Sequence, residues 1–69
     1  VHVTPNGAAI KAFRQLRGIS LRQLAELTQS SPSHMSRIEH EQRGASDVLL
    51  PDIAAVLDVP LAAITREKL

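Results

Sequence analysis

Apolar residues recur along this chain at intervals of three and four, broken by short polar stretches, a rhythm that predicts a string of short helices. Ile10, Phe13 and Leu16, with Ala9 and Ala12, line one face up to Gly18, which stops the first helix. Thr4 followed by Pro5 reads as that helix's N-cap and starting proline. Ser20 caps a second helix, with Leu24, Ala25 and, as a further candidate, Leu21 facing inward; it runs to Thr28, before the polar turn Gln29-Ser30. Ser31-Pro32 repeats the start signal, and a third helix follows to His40 with Met35 and Ile38 inward. Residues 40–47 are polar and charged and read as a loop. A fourth helix holds Ile53, Ala54, Val56 and Leu57, and Pro51 must sit in its first turn, because deeper in a helix its ring would clash with the preceding turn. Val59-Pro60 ends it, Leu61 and Ile64 predict a last short helix, and residues 66–69 are expected to fray. The expectation is an all-α, compact five-helix bundle forming a single domain over residues 1–69.

The second and third helices are separated by about three residues, and so short a link forces them to cross steeply. That is the helix-turn-helix arrangement, here over residues 20–40, whose second member can lie in the major groove of DNA. Ala25 suits it, since a small side chain lets two helix axes approach. At about 100° per residue, Met35 and Ile38 point one way along the third helix while Ser33, Ser36, Arg37 and His40 point the other, with His34 on a flank. Glu39 falls on the inward side beside Met35, where a carboxylate is costly unless a cation meets it.

Composition narrows the function classes. A chain of 69 residues can bury only a modest core. It has no cysteine, which excludes disulfide staples and cysteine-ligated zinc. Phe13 is the lone aromatic, which argues against binders that stack single-stranded bases on aromatic rings. The apolar runs are too short to cross a bilayer and the first residues lack the layout of a signal peptide, so a soluble, cytoplasmic protein is expected. The chain starts without Met, from which removal of the initiator or excision from a longer protein is expected. The net charge of +1 says little, but its distribution says more. Lys11, Arg14, Arg17, Arg22, Arg37 and Arg43 outweigh Glu26, Glu39 and Glu41, whereas Asp47, Asp52, Asp58 and Glu67 outweigh Arg66 and Lys68. A basic first half and an acidic second half suit a domain with one DNA-facing side, as does ordinary solvated charge. His34 and His40 lack the spacing of a chelating pair and His2 lies in the terminus, so no metal site is expected; nor is a cofactor, small-molecule ligand or catalytic centre.

Taken together, residues 10–64 resemble the phage repressor and Cro type (XRE-like) of helix-turn-helix family. The matching residues are Ile10, Phe13-Arg14, the run Arg17-Gly18-Ile19-Ser20-Leu21-Arg22-Gln23-Leu24-Ala25, then Ser31 to Glu39, and Pro51-Asp52-Ile53-Ala54 with Leu57 and Val59. The resemblance implies a lambda-repressor-like five-helix bundle that binds duplex DNA, commonly as a homodimer on a pseudo-palindromic operator. It also implies that Arg14 meets Glu39 as a structural ion pair, the cation Glu39 was argued to need. The sequence departs from the family where Gln29 and Glu41 stand at usual glycine positions, each asking a residue with a Cβ to adopt a glycine-like conformation, or the turn to rearrange, at a cost of about 1 kcal/mol. It departs again at Leu21, where many members carry a glutamine; only the Leu21 backbone N–H can then serve a phosphate.

On this reading Arg37 is the foremost base reader, because arginine on guanine O6 and N7 is the commonest specific contact. Ser33 and His34, in the first turn, are base-contact candidates, His34 for a base or a phosphate, and Pro32 either touches a thymine methyl or only starts the helix. Phosphates are expected at Ser20, Leu21, Arg22 and Ser31, at the two helix starts, and at Ser36, His40, Gln42 and Arg43. Lys11 and Arg17 are weaker phosphate candidates or plain solubilising charge. Leu61 and Ile64 are candidates for a dimer contact or, as preferred for Ile64, for closing the core. The function expected is a sequence-specific transcriptional regulator, commonly a repressor, and not an enzyme. The alternatives are an antitoxin-like protein-interaction module of the same fold, or the N-terminal DNA-binding module of a larger regulator.

Overall fold

A computed structural model describes residues 3–42 and 49–67. The order is β1 (Val3–Pro5), α1 (Gly7–Leu16), α2 (Leu21–Leu27), α3 (Pro32–Glu39), α4 (Leu49–Leu57), a single 3-10 turn (Leu61–Ile64) and β2 (Thr65–Glu67). Among the described residues there are thus four α-helices rather than the five expected from periodicity. Leu61 and Ile64 do share a helical face, but the segment makes only a tight turn, with the Ala63 N–H donating to the Pro60 carbonyl at 2.9 Å. The chain then straightens at Thr65 and pairs with β1, Val3 opposite Glu67 and Pro5 opposite Thr65. Residues 66 and 67, expected to fray, are therefore held in a two-stranded antiparallel ribbon; residues 68 and 69 lie outside the described residues.

The ribbon also corrects the start of α1. Thr4 and Pro5 belong to β1, and the N-cap is Asn6, whose Oδ1 accepts the Ala9 N–H at 3.1 Å. Three-residue strands show no readable alternation; they pair because the fold brings the two ends together, and the Asn6 N–H extends the pairing onto the Ile64 carbonyl at 2.8 Å.

Each α-helix ends in the same double hydrogen bond, the Schellman motif. After α1, Gly18 (φ 69°) and Ile19 donate to Gln15 and Arg14; after α2, Gln29 and Ser30 donate to Glu26 and Ala25. Glu41 and Gln42 close α3 on Ile38 and Arg37, and Asp58 and Val59 close α4 on Ala55 and Ala54. Gln29, Glu41 and Asp58 all sit at φ 57°. Of the two outcomes open at Gln29 and Glu41, the chain keeps the turn and accepts left-handed strain.

The core consists of Ile10, Leu24, Ala25, Met35, Ile38, Leu50, Ile53, Ala54, Leu57 and Ile64, with Phe13, Ile19, Leu21, Leu49, Val56 and Val59 packed against it. Leu16 does not join them and is 72% exposed. It lies about 120° round α1 from Ile10, turned away from the core, whereas Arg14 lies within about 40° with its side chain 13% exposed.

Candidate nucleic-acid interface

The helix pair that would meet DNA is built from two capped starts. Ser20 and Gln23 form a reciprocal capping box: Ser20 Oγ accepts the Gln23 N–H at 3.0 Å and Gln23 Oε1 accepts the Ser20 N–H at 2.8 Å. The Ser20 oxygen is thereby committed to its helix as an acceptor, while its O–H remains able to donate. The N–H groups of Leu21 and Arg22, in the first turn, have no intrahelical acceptor. Ser31 caps α3 in the same way, accepting the His34 N–H at 3.1 Å, with Pro32 as the first helical residue.

Between the caps, the turn is fixed from inside. Thr28 is buried and its Oγ1 donates to the Leu24 carbonyl at 2.8 Å, while lying 3.2 Å from the Ser30 hydroxyl. Ala25 is fully buried, and α2 and α3 make the most extensive contact of any two elements.

Of the α3 residues, Pro32, Ser33 and Arg37 are exposed, His34 and Ser36 are half-buried, and Met35 and Ile38 are fully buried. His40 is exposed beyond the helix end, with Nδ1 2.8 Å from the Ser36 carbonyl; it donates there, which leaves Nε2 facing outward. Gln42 is exposed and tied back to Arg37 through its N–H. The expected contact at Arg43 lies outside the described residues, as does the rest of the loop to Asp47. An open cleft beside the start of α3 is lined by Gln29, Ser31, His34 and Asp52 among others, so an acidic side chain from α4 flanks the start of α3.

At the inner side of α3, Arg14 Nε donates to Glu39 Oε2 at 2.7 Å and its second guanidinium nitrogen reaches Oε1 at 3.3 Å, a bidentate pair. The remaining donor of Arg14 meets the Ile19 carbonyl at 3.0 Å. The side chains are 13% and 5% exposed. Arg17, a weaker phosphate candidate from sequence, instead caps α4, donating to the Leu57 carbonyl at 2.9 Å and the Asp58 carbonyl at 3.4 Å.

Two supports of this site escape a linear reading. Gly7 opens α1 where a Cβ would overlap the carbonyls of Ile38 and Glu39, so α1 butts directly against the end of α3. Arg66 donates to Asn6 Oδ1 and to Glu41 Oε2, each at 3.1 Å. Neither carries a sequence signal, because both depend on which segments meet in space. Gln23 does carry one, the Ser-x-x-Gln spacing of a capping box.

A model of the helix-turn-helix family matches residues 10–64. The chain belongs to this family. It is 38% identical over 63 residues to the HTH-type transcriptional regulator SinR of Bacillus licheniformis, a match spanning 90% of this chain and 57% of that protein. The chain thus spans little more than half the length of the curated relatives it matches. Its fold is similar to that of SinR, the master regulator for biofilm formation, in a crystal structure in complex with DNA (TM-score 0.77, 36% identity, 83% of this chain and 95% of that one). It is similar as well to the clp gene regulator ClgR of Corynebacterium glutamicum (TM-score 0.78, 36% identity, 81% and 60%). Among the described residues, no helix of this family member is long and apolar enough to cross a membrane.

Proposed function

We propose that this chain is the double-stranded DNA-reading domain of a transcriptional regulator, most simply a repressor, and that α3 enters the major groove. The observation that carries this is the exposed polar face of α3, seated on α2 by a capped turn, in a chain similar over most of its length to a regulator crystallised with DNA. Arg37 reads a guanine edge from the middle of that face, and Ser33 and His34, with the ring of Pro32, meet bases from its first turn. The backbone N–H groups of Leu21 and Arg22, the Arg22 side chain and the caps Ser20 and Ser31 address one phosphate strand; Ser36, His40, Gln42 and Arg43 address the other. Arg14 and Glu39 hold α3 in place.

Two copies then bind a pseudo-palindromic operator with half-sites ~34 Å apart, one turn of the duplex. Leu61, 43% exposed, is the place for contact between copies, while Ile64 is fully buried and closes the core. Such a reader is not an enzyme, takes no cofactor, and works where the bacterial chromosome is, in the cytoplasm. The share of SinR that the chain spans favours a DNA-binding module within a larger regulator.

Selection of bound duplexes from a random library, followed by titration at two salt concentrations, tests the reading. A symmetric motif should emerge, and with about four to six phosphates neutralised the logarithm of affinity should fall with log salt at a slope of about −4 to −5. A flat salt dependence would argue against duplex binding. Failure to enrich any motif would favour a protein-docking role, the second reading, to which the exposure of Leu16 (72%) and Leu27 (61%) points.

A further inference from the structure

Glu41 is out of place on the proposed interface. Its N–H bonds the Ile38 carbonyl and that of Gln42 bonds Arg37, so the Schellman closure holds both residues against the last turn of α3. The Glu41 backbone therefore lies within one turn of Arg37 and between His40 and Gln42, residues assigned above to bases and phosphates. A negative charge there opposes the phosphate backbone and attracts the Arg37 guanidinium. The Glu41 side chain is 39% exposed, so burial does not silence it.

The charge is instead met from the far end of the chain. Arg66 on β2 reaches Glu41 Oε2 at 3.1 Å. The same terminal nitrogen lies 3.1 Å from Asn6 Oδ1, the oxygen that caps α1. The guanidinium is thus located by a fixed helix cap and by strand pairing, Arg66 opposite Thr4, and not by a free surface rotamer.

We propose that Arg66 is a positioning residue of the DNA interface: held by the β1–β2 ribbon, it neutralises Glu41 and keeps that carboxylate off the phosphates and off Arg37. The terminal ribbon then belongs to the reading surface electrostatically while lying outside the helix-turn-helix. This rests on the DNA-reading function proposed above. An exposed ion pair contributes little to folding, so its main effect falls on the approaching polyanion.

The test is a charge-swap set on the full chain: Arg66→Gln, Glu41→Gln and the double variant. Each is titrated against a fluorescein-labelled duplex of mixed sequence at low salt and against the duplex recovered by selection, and thermal melts are recorded alongside. Arg66→Gln should weaken binding to both duplexes several-fold, and the loss should shrink as salt rises within the Debye range. Glu41→Gln should bind at least as tightly as the parent. The double variant should recover most of the parent's affinity although it still lacks the Arg66 bond to Asn6. A merely structural clasp predicts the opposite, a double variant as weak as Arg66→Gln with a lowered melting temperature to match. That result, or parent-like binding by Arg66→Gln, overturns the proposal while leaving DNA reading intact. A parent chain that binds neither duplex overturns both.

Discussion

Arg14→Met separates the burial of Glu39 from its chemistry. In the folded chain the Glu39 side chain is 5% exposed and receives two hydrogen bonds from Arg14. Methionine fills much of the arginine's volume but offers no donor. Glu39 is then a carboxylate shut away from water with nothing opposite it, and the Ile19 carbonyl loses its donor as well. Removing one partner of a buried pair costs about 3–5 kcal/mol, more than the pair contributes, because the orphaned charge keeps its desolvation penalty. For a domain of 69 residues the whole stability is about 3–10 kcal/mol, so the variant should be poorly folded or unfolded at 25 °C. The double variant Arg14→Met/Glu39→Leu removes both charges, and swaps of this kind are often neutral or stabilising, so it should recover most of the loss. Urea denaturation followed by far-UV circular dichroism measures all three chains, with the coupling read from the double-mutant cycle against Glu39→Leu. A cost below about 1 kcal/mol for Arg14→Met, or a double variant no more stable than the single, would refute the reasoning and reduce the pair to a surface contact.

Other substitutions probe the remaining supports. Gln29→Gly relieves a left-handed residue whose side chain is exposed, and should stabilise the chain by about 0.5–1 kcal/mol, a rise in Tm of about 2–8 °C by scanning calorimetry; an unchanged or lowered Tm would mean that the Gln29 side chain offsets its strain. Gly7→Ala should destabilise by about 1–3 kcal/mol despite alanine's higher helix propensity, because its Cβ meets the backbone carbonyls that end α3; parent-like stability in urea would show that α1 can withdraw without loss. Arg37→Ala should cost about 1–3 kcal/mol on the selected duplex and relax preference at one base pair, and an equal loss on every sequence would reassign Arg37 to a phosphate.

The helix-turn-helix was legible because its signals are local. Ser20 and Ser31 cap their own helices, Pro32 follows its cap, and the three-to-four spacing of Leu24, Met35 and Ile38 needs no partner to be read. The inward face of Glu39 followed from helical angles alone, and the family resemblance supplied Arg14 as its cation. The same logic misled at the chain's ends. Thr4-Pro5 carries a sound local start signal, yet strand pairing with Thr65 takes those residues and leaves Asn6 to cap α1. Leu61 to Ile64 has helical spacing, but one turn followed by an extended strand cannot propagate a helix. Leu16 is placed by its spacing on the inward face, yet it lies about 120° round α1 from the buried Ile10 and stays exposed.

What the sequence determined by itself is therefore everything whose free energy is settled within one or two turns: helix starts, helix stops and which side of α3 is polar. Only the tertiary structure decided the contacts between distant segments. Gly7 against the end of α3, Arg17 on the end of α4 and Arg66 between Asn6 and Glu41 leave no periodic trace, since each residue's partner is chosen by how the helices pack. The strain at Gln29 and Glu41 stands between the two. The family resemblance named both positions, but whether the turn rearranged or the backbone yielded depended on the neighbouring helices, which hold the turns closed against the cost.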